Sequence, residues 1–462
     1  MQFSLSDVAD ACGGRILTAS GPGADAAASV VVDGASIDSR NLAAGQLFVP
    51  IVAERDGHDF VAAAVAAGAG AYLTARPGLT PEAVGAPAAV LVADTRVALA
   101  ALGSAARRRL DERVVAFTGS VGKTSVKDLT AAALRSTFRT AASLRSFNNE
   151  LGVPLTLVNG PDGIEAAVVE MGARGEGHIA TLCAVARPTI GIVTRVAPAH
   201  LELFGSVEAV ARAKGELVEA LPRSPDGVAV LNSDDPLVLD MASRTEATVL
   251  TYGHEADIRA ERVTLDEVAR ARFSVATPWG AGVVQLPVSG LHMVGNALAA
   301  IGAALAAGAP LEAVLAGIES AQMSPWRMEV GVTAGGVTVL NDAYNASPVA
   351  VHAAFDALLV LGERGRGRRI AVLGAMAELG PSGIDEHRRV GAAAAERGIE
   401  LHAVGTALYG VPPGRRWVDI DAVHAALVAM DLGPDDVVLV KASRVVGLER
   451  LAALLGATPT TA

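Results

Sequence analysis

The sequence predicts an α/β protein of three domains, the middle one built on a parallel sheet, and three observations carry that prediction. The chain has 462 residues, too many for one ordinary hydrophobic core, and a prior of roughly 150 residues per domain divides it into about three. Short, uninterrupted apolar runs alternate with helical stretches, the pattern of strands buried on both faces of a parallel sheet. A glycine-containing segment, Thr118-Gly119-Ser120-Val121-Gly122-Lys123-Thr124-Ser125, stands between a strand pattern and a helix pattern.

Taken in order, residues 30–37, 46–50, 71–74 and 88–93 read as strands, and 60–67 and 95–109 as helices. The basic, polar stretch 107–113 reads as a hinge, which ends a first domain at residue 110. From 111 to 324 strand and helix alternate again, with apolar runs at 114–117, 166–169, 190–193 and 228–231. The pattern breaks at Gln322-Met323-Ser324-Pro325, and a third series begins, with strands expected at 337–340, 369–373, 402–404 and 437–440. The domains are therefore expected at 1–110, 111–324 and 325–462, with 362–369, rich in Gly and Arg, as an exposed loop. No repeat of 20 to 50 residues and no low-complexity tract interrupts this plan.

Composition narrows the function. Hydrophobic residues make up 51% of the chain, yet no stretch of about 18 runs without a charge or turn former, so a membrane span is not expected. The first residues lack a basic start and a long apolar segment, and the cytoplasm is the expected compartment. Two cysteines, Cys12 and Cys183, are too few for a disulfide framework. A net charge of -11 argues against a general nucleic-acid surface but not against a small anionic ligand, which a few aimed N–H groups and cations can hold. No heptad pattern suggests an oligomer, and a monomer is expected.

The segment 118–125 departs from the common phosphate-loop pattern, because Phe117 stands where the first glycine belongs. The shorter form Gly119-x-x-Gly122-Lys123-Thr124 keeps the physical logic. Small residues let backbone N–H groups wrap a phosphate, the following helix presents its positive end, and Lys123 adds a charge. Ser120 belongs to the same wrap, and Thr124 or Ser125 can offer a hydroxyl to Mg²⁺. Such a metal needs further oxygen ligands at strand ends, where Glu170 follows the run 166–169. His200 follows the next run in the same way. Lys214 falls in a helical stretch, 207–221, where an exposed lysine is the default.

Taken together with four further segments, these residues resemble the Mur ligase family over nearly the whole chain. The segments are Asp38-Ser39-Arg40 with Leu47-Phe48-Val49 and Asp56-Gly57-His58-Asp59-Phe60; Phe147-Asn148-Asn149-Glu150-Leu151-Gly152-Val153-Pro154; Asn341-Asp342-Ala343-Tyr344-Asn345-Ala346-Ser347-Pro348; and Lys441-Ala442-Ser443-Arg444. The resemblance implies a central P-loop-type mononucleotide-binding sheet, an N-terminal α/β domain for a UDP-linked precursor, and a C-terminal Rossmann-like α/β domain that closes over ATP and binds an incoming dipeptide. It implies an ATP-dependent ligase whose substrates are UDP-MurNAc-tripeptide and D-Ala-D-Ala. ATP would phosphorylate the peptide carboxylate, and the amine would attack the acyl phosphate through a tetrahedral intermediate.

By the same resemblance Lys123 contacts the terminal phosphates, Thr124 and Glu170 bind one Mg²⁺, and His200 lies at a second. Lys214 matches a lysine that many family members carbamylate, which requires a neutral amine. Asn296 in Leu291-His292-Met293-Val294-Gly295-Asn296 faces adenine, Arg327 reaches the phosphates, and Asp342, with Asn345, contacts the nucleotide. Ser39 and Arg40 hold the uridine diphosphate; Asn148 and Asn149 touch the sugar or its peptide arm. Three positions depart from the family pattern: Arg195 for Asn, Ala375 for an acidic residue, and Ala442 for Gly. A cation at 195 would repel Mg²⁺ unless it points away or pairs with Glu202 or a substrate anion. The alternatives are a sister ligase adding a third-position diamino acid, although its Asp-Asn-Pro-Arg segment is not found, and a nucleotide-binding regulator that performs no ligation.

Overall fold

The computed structural model describes residues 1–18, 30–110, 113–143, 147–197, 201–363, 365 and 367–459. Its middle region carries a six-stranded parallel sheet in the order Thr248–Tyr252, Val228–Asn232, Ile190–Val193, Arg113–Thr118, Ala166–Glu170, Thr140–Ala142. The strand order reverses at Arg113–Thr118: the chain first adds strands on one side of it, then crosses to the other. A ligand crevice opens at such a reversal, beyond the carboxyl ends of the strands. The phosphate-loop segment leaves the sheet at that point and enters the helix Lys123–Arg135. Val126, Leu129 and Leu134 turn one face of this helix into the core, against Ala297 and Ile301 of the helix Met293–Ala306.

The expected strands of the middle region are present, each within a residue or so of its predicted limits. A three-stranded antiparallel sheet, Arg259–Leu265, Arg270–Thr277 and Gly280–Ser289, was not among them. Its signal was legible: Ala271, Phe273 and Val275 are buried at alternate positions, as are Val284, Leu286 and Val288.

The first region forms a five-stranded sheet, and the strand expected at 30–37 is two strands in two sheets. Val31–Asp33 pairs antiparallel with Gln2–Ser4, whereas Ala35–Ser36 pairs in parallel with Leu47–Phe48. The split has a cause in Asn159. Its Oδ1 accepts from Ala35 N at 2.8 Å and its Nδ2 donates to Ala35 O at 2.9 Å, so the backbone at that point is held by a side chain from the middle region. The stretch expected as a hinge begins at a fixed residue. Arg107 is buried and donates to the carbonyls of Ala186, Arg187 and Leu110. One hydrophobic cluster runs from Leu99 and Leu102 into Val153 and Leu182, joining the first sheet's helix to the middle region.

The third region is a seven-stranded sheet in the order Arg416–Trp417, Glu400–Val404, Arg369–Leu373, Val437–Lys441, Thr338–Asn341, Glu329–Val332, Thr458–Pro459. Thr338–Asn341 and Val437–Lys441 are parallel neighbours, which sets Asp342 beside Lys441 although they lie far apart in sequence. The helix Pro348–Leu361 follows, capped by Ser347, whose Oγ accepts from Ala350 N. Among the described residues no helix is long and apolar enough to cross a membrane.

Candidate active site

The phosphate loop is shaped by two glycines. Gly119 has φ 155 and a Cβ there would lie 1.8 Å from Thr194 Oγ1; Gly122 has φ 86 and a Cβ there would lie 2.6 Å from Asn296 Oδ1. Neither position admits a side chain. The neighbouring segment 194–197 buttresses the loop: Ser120 N donates to Arg195 O at 2.7 Å, Ser120 Oγ donates to Ala197 O at 3.0 Å, and Thr194 Oγ1 donates to Val121 O at 2.7 Å. Lys123 Nζ folds over the loop onto Gly119 O at 2.7 Å. Burial pulls its pKa below the ordinary lysine value, with Arg327 adding to the shift and the carboxylates of Glu170 and Glu378 opposing it.

A cavity of about 1030 Å³ opens over this loop, lined from the middle region by Ser120, Lys123, Thr124, Ser125, Asn148, Glu170 and Asn296, and from the third by Arg327, Asp342, Asn345 and Lys441. Most of the residues singled out in the sequence therefore meet in one place. Glu170 ends its strand as expected and is buried; Asn148 Nδ2 donates to its Oε1 at 2.9 Å, while Oε2 has no hydrogen-bond partner among the described residues. A buried carboxylate oxygen left without a partner is costly unless a cation completes it. With the Thr124 hydroxyl in the first turn of the helix after the loop it makes a hard oxygen donor set, which suits Mg²⁺. No cluster of three or more His, Cys, Asp or Glu residues stands ready among the described residues. Phosphate oxygens and water would therefore have to complete the coordination, as Mg²⁺ commonly accepts.

Lys214 departs from the exposed default. It lies on the helix Val207–Glu219 with its side chain buried. Burial, reinforced by the charge of Lys123, lowers its pKa to about 7. Near neutral pH a sizeable share of this amine is then uncharged and nucleophilic.

From the third region Arg327 Nη2 donates to Thr124 Oγ1 at 2.7 Å, and its guanidinium lies 4.0 Å from the ring centre of Tyr344. Asp342 is held by Lys441, whose buried amine donates to Asp342 Oδ2 and also to Asn345 O at 2.7 Å. Burial lowers the pKa of Lys441, and the facing Asp342 carboxylate opposes the shift.

Several residues sit elsewhere. Ser39 and Arg40 do not line the cavity; Arg40 is exposed and forms a two-point ion pair with Asp38, at 2.9 Å for each bond, which holds the Asp38 carboxyl well below the usual range. Asn149 is exposed, and its Oδ1 accepts from Gly152 N at 2.9 Å, at the start of the helix Gly152–Val158. His200 lies outside the described residues. Arg195 is exposed on the cavity wall. The sequence reading assigned no role to Lys441, His292 or Glu378, all of which line the cavity. Lys441 was within a quoted segment, and Glu378 adopts φ 64, strained for a non-glycine residue.

Comparison with known proteins agrees with this geometry. Residues 117–304 match the Mur ligase middle domain, and residues 326–444 match the Mur ligase glutamate ligase domain. A UDP-N-acetylmuramoyl-tripeptide--D-alanyl-D-alanine ligase of Mycobacterium tuberculosis is 38% identical, over 100% of this chain and 99% of its own. Among solved structures, MurF from Acinetobacter baumannii superposes with a TM-score of 0.85 at 29% identity, covering 98% of this chain and 99% of that one. MurF from Thermotoga maritima in complex with ADP gives 0.78 at 27% identity, covering 92% and 97%.

Proposed function

This chain belongs to the Mur ligase family, and from that premise we propose that it joins D-alanyl-D-alanine to the C-terminal carboxylate of UDP-N-acetylmuramoyl-tripeptide at the expense of ATP. It is an ATP-dependent, amide-bond-forming ligase. The observation that carries the reading is the meeting of Lys123, Glu170 and Arg327 in one cavity, two from the middle region and one from the third.

The reaction needs charge stabilisation and exclusion of water more than covalent help from the protein. In our reading Lys123 leaves Gly119 O for the terminal phosphates of ATP, and Arg327 approaches them from the opposite side. Thr124 and Glu170 hold Mg²⁺, which when bound supplies Lewis-acid neutralisation of the phosphate charge. Asn148 orients Glu170 through the bond to Oε1, so its role is exerted through that carboxylate and not only through the sugar. Lys214, with its depressed pKa, is the site of carbamylation; the uncharged amine adds CO₂ and loses a proton, giving an anion in place of a cation beside Lys123. Asn296 faces the adenine, and Asp342, fixed by Lys441, contacts the ribose with Asn345 nearby. His200 is assigned to a second metal by its sequence position. Ser39 and Arg40 hold the uridine diphosphate in the first region, and the peptide arm of the precursor extends from there toward the cavity.

We retain the division at 1–110, 111–324 and 325–462, and place the reaction in the cytoplasm, where nucleotide-linked wall precursors and ATP coincide. Release of phosphate measured with UDP-MurNAc-tripeptide and D-Ala-D-Ala, each alone and together, tests the proposal. Turnover should require both. Phosphate release without an acceptor, or a preference for a single diamino acid over the dipeptide, would overturn it.

A further inference from the structure

The loop helix Lys123–Arg135 grips the segment that leads into the third region at two points. At the first, Thr124 Oγ1 accepts from Arg327. At the second, one helical turn on, Asp128 accepts from both donors of a single residue: Ser324 N donates to Asp128 Oδ2 at 2.8 Å, and Ser324 Oγ donates to Asp128 Oδ1 at 3.1 Å. Residues 124 and 128 are four apart and share a helix face, so the two grips lie in line along the helix. Lys127 completes the second one. Its Nζ lies 3.2 Å from Asp128 Oδ1 and donates to Ser324 Oγ at 3.5 Å, and the side chains of Lys127 and Asp128 are only 7% and 9% exposed.

Between the grips the backbone is unusual. Trp326 and Met328, on either side of Arg327, have φ 61 and 51, conformations that side-chain-bearing residues avoid. Each is strained and persists only where its surroundings hold it. Tyr344 N bonds Trp326 O at 3.3 Å, and Met328 N bonds Asp342 Oδ1 at 3.2 Å, so the third region fixes the far side of the turn. The near side is fixed by Asp128. A buried carboxylate with two bonds to one linker residue is a stronger tether than chain continuity requires.

We propose that Asp128 is a positioning residue that acts through Ser324 to hold Arg327 over the phosphate loop. The inference rests on the phosphate-binding role given to Arg327 above. When a metal takes the Thr124 hydroxyl, Arg327 has to release it, and the grip at Ser324 then keeps the guanidinium within reach of the phosphates. Lys127 serves the same end by neutralising the buried carboxylate.

A double-mutant cycle tests this, using turnover of the full chain with ATP, tripeptide substrate and dipeptide. Asp128→Asn removes the charge; Ser324→Ala removes one bond and keeps the backbone one, so it guards against a folding failure of the first variant. Each should lower kcat in the parent, Asp128→Asn by on the order of tenfold or more, since a misplacement of about 1 Å can cost about 100-fold. The KM for tripeptide should be little changed. In an Arg327→Ala background both substitutions should leave the remaining kcat unchanged, although thermal stability still falls. Additive losses in that background would overturn the positioning role and leave the phosphate role of Arg327 standing. If Arg327→Ala alone has no effect on turnover, the underlying reading fails instead.

Discussion

Arg327 and Thr124, from different regions of the chain, are joined by a 2.7 Å hydrogen bond that sets a cation on the hydroxyl assigned to a metal. The guanidinium donates to Thr124 while lying over Tyr344 at 4.0 Å, and a planar fork can do both where an ammonium cannot. Arg327→Lys should therefore behave as a loss, lowering kcat/KM by about 100-fold or more, in the range of one lost charge-stabilising donor. Steady-state ADP release checks it; wild-type activity in the lysine variant would show that the fork is not needed.

Glu170→Gln separates stability from activity. The variant keeps an acceptor for Asn148 Nδ2 and removes a buried carboxylate oxygen that has no partner among the described residues. Thermal stability without metal should stay level or rise, because a buried charge is costly when unpaired. The Mg²⁺ concentration needed for half-maximal turnover should rise at least about tenfold, the scale on which loss of a metal-site contact is felt. A variant with unchanged Mg²⁺ dependence would remove Glu170 from the metal site.

Lys214 makes a pH-dependent prediction whose sign follows from its lowered pKa of about 7. Below that value the amine is an ammonium and cannot add CO₂; as pH rises through it, the neutral form and the carbamate accumulate. The same shift acts on stability. The unfolded chain holds the proton up to the ordinary lysine pKa, so stability gains from this group as pH rises above about 7. Carbon-13 NMR with labelled bicarbonate should show a carbamate signal that grows between pH 6 and 8, about one unit either side of the pKa, and is absent in Lys214→Ala. No signal at any pH would remove the modification.

Asp342 and Lys441 form a buried pair, and breaking it from one side leaves a buried charge alone. Lys441→Met should cost less than Asp342→Asn, because the methionine replaces the buried amine with an apolar group and leaves a carboxylate at the cavity edge. Asp342→Asn should cost about 3 to 5 kcal/mol. Chemical denaturation of the two variants checks the order, and the reverse order would contradict it.

Much of this site was legible in the sequence because its parts are local. The loop at 118–125 and Glu170 at its strand end declare themselves by spacing, while the segments around Asn148 and Asp342 are legible only through the family resemblance. The burial of Lys214 runs against the exposed default expected from the sequence, although a signal was there: it falls four residues after Val210 and four before Val218, on the buried face of its helix. What stayed hidden depends on strand order and long-range pairing. Nothing local says that Val437–Lys441 lies beside Thr338–Asn341, so the grip of Lys441 on Asp342 could not be read. The pairing of Asp128 with Ser324 joins a helix to a linker nearly two hundred residues away. Nor does the sequence show that Asn149 Oδ1 accepts from Gly152 N at the start of the next helix.

The central claim is that ATP activates the peptide carboxylate itself, and isotope transfer tests it most directly. With UDP-MurNAc-tripeptide labelled by oxygen-18 in its terminal carboxylate, turnover in the presence of D-Ala-D-Ala should place one labelled oxygen in each phosphate released. Mass spectrometry reads the phosphate. Unlabelled phosphate accompanying product, or phosphate carrying oxygen from solvent water alone, would contradict the account.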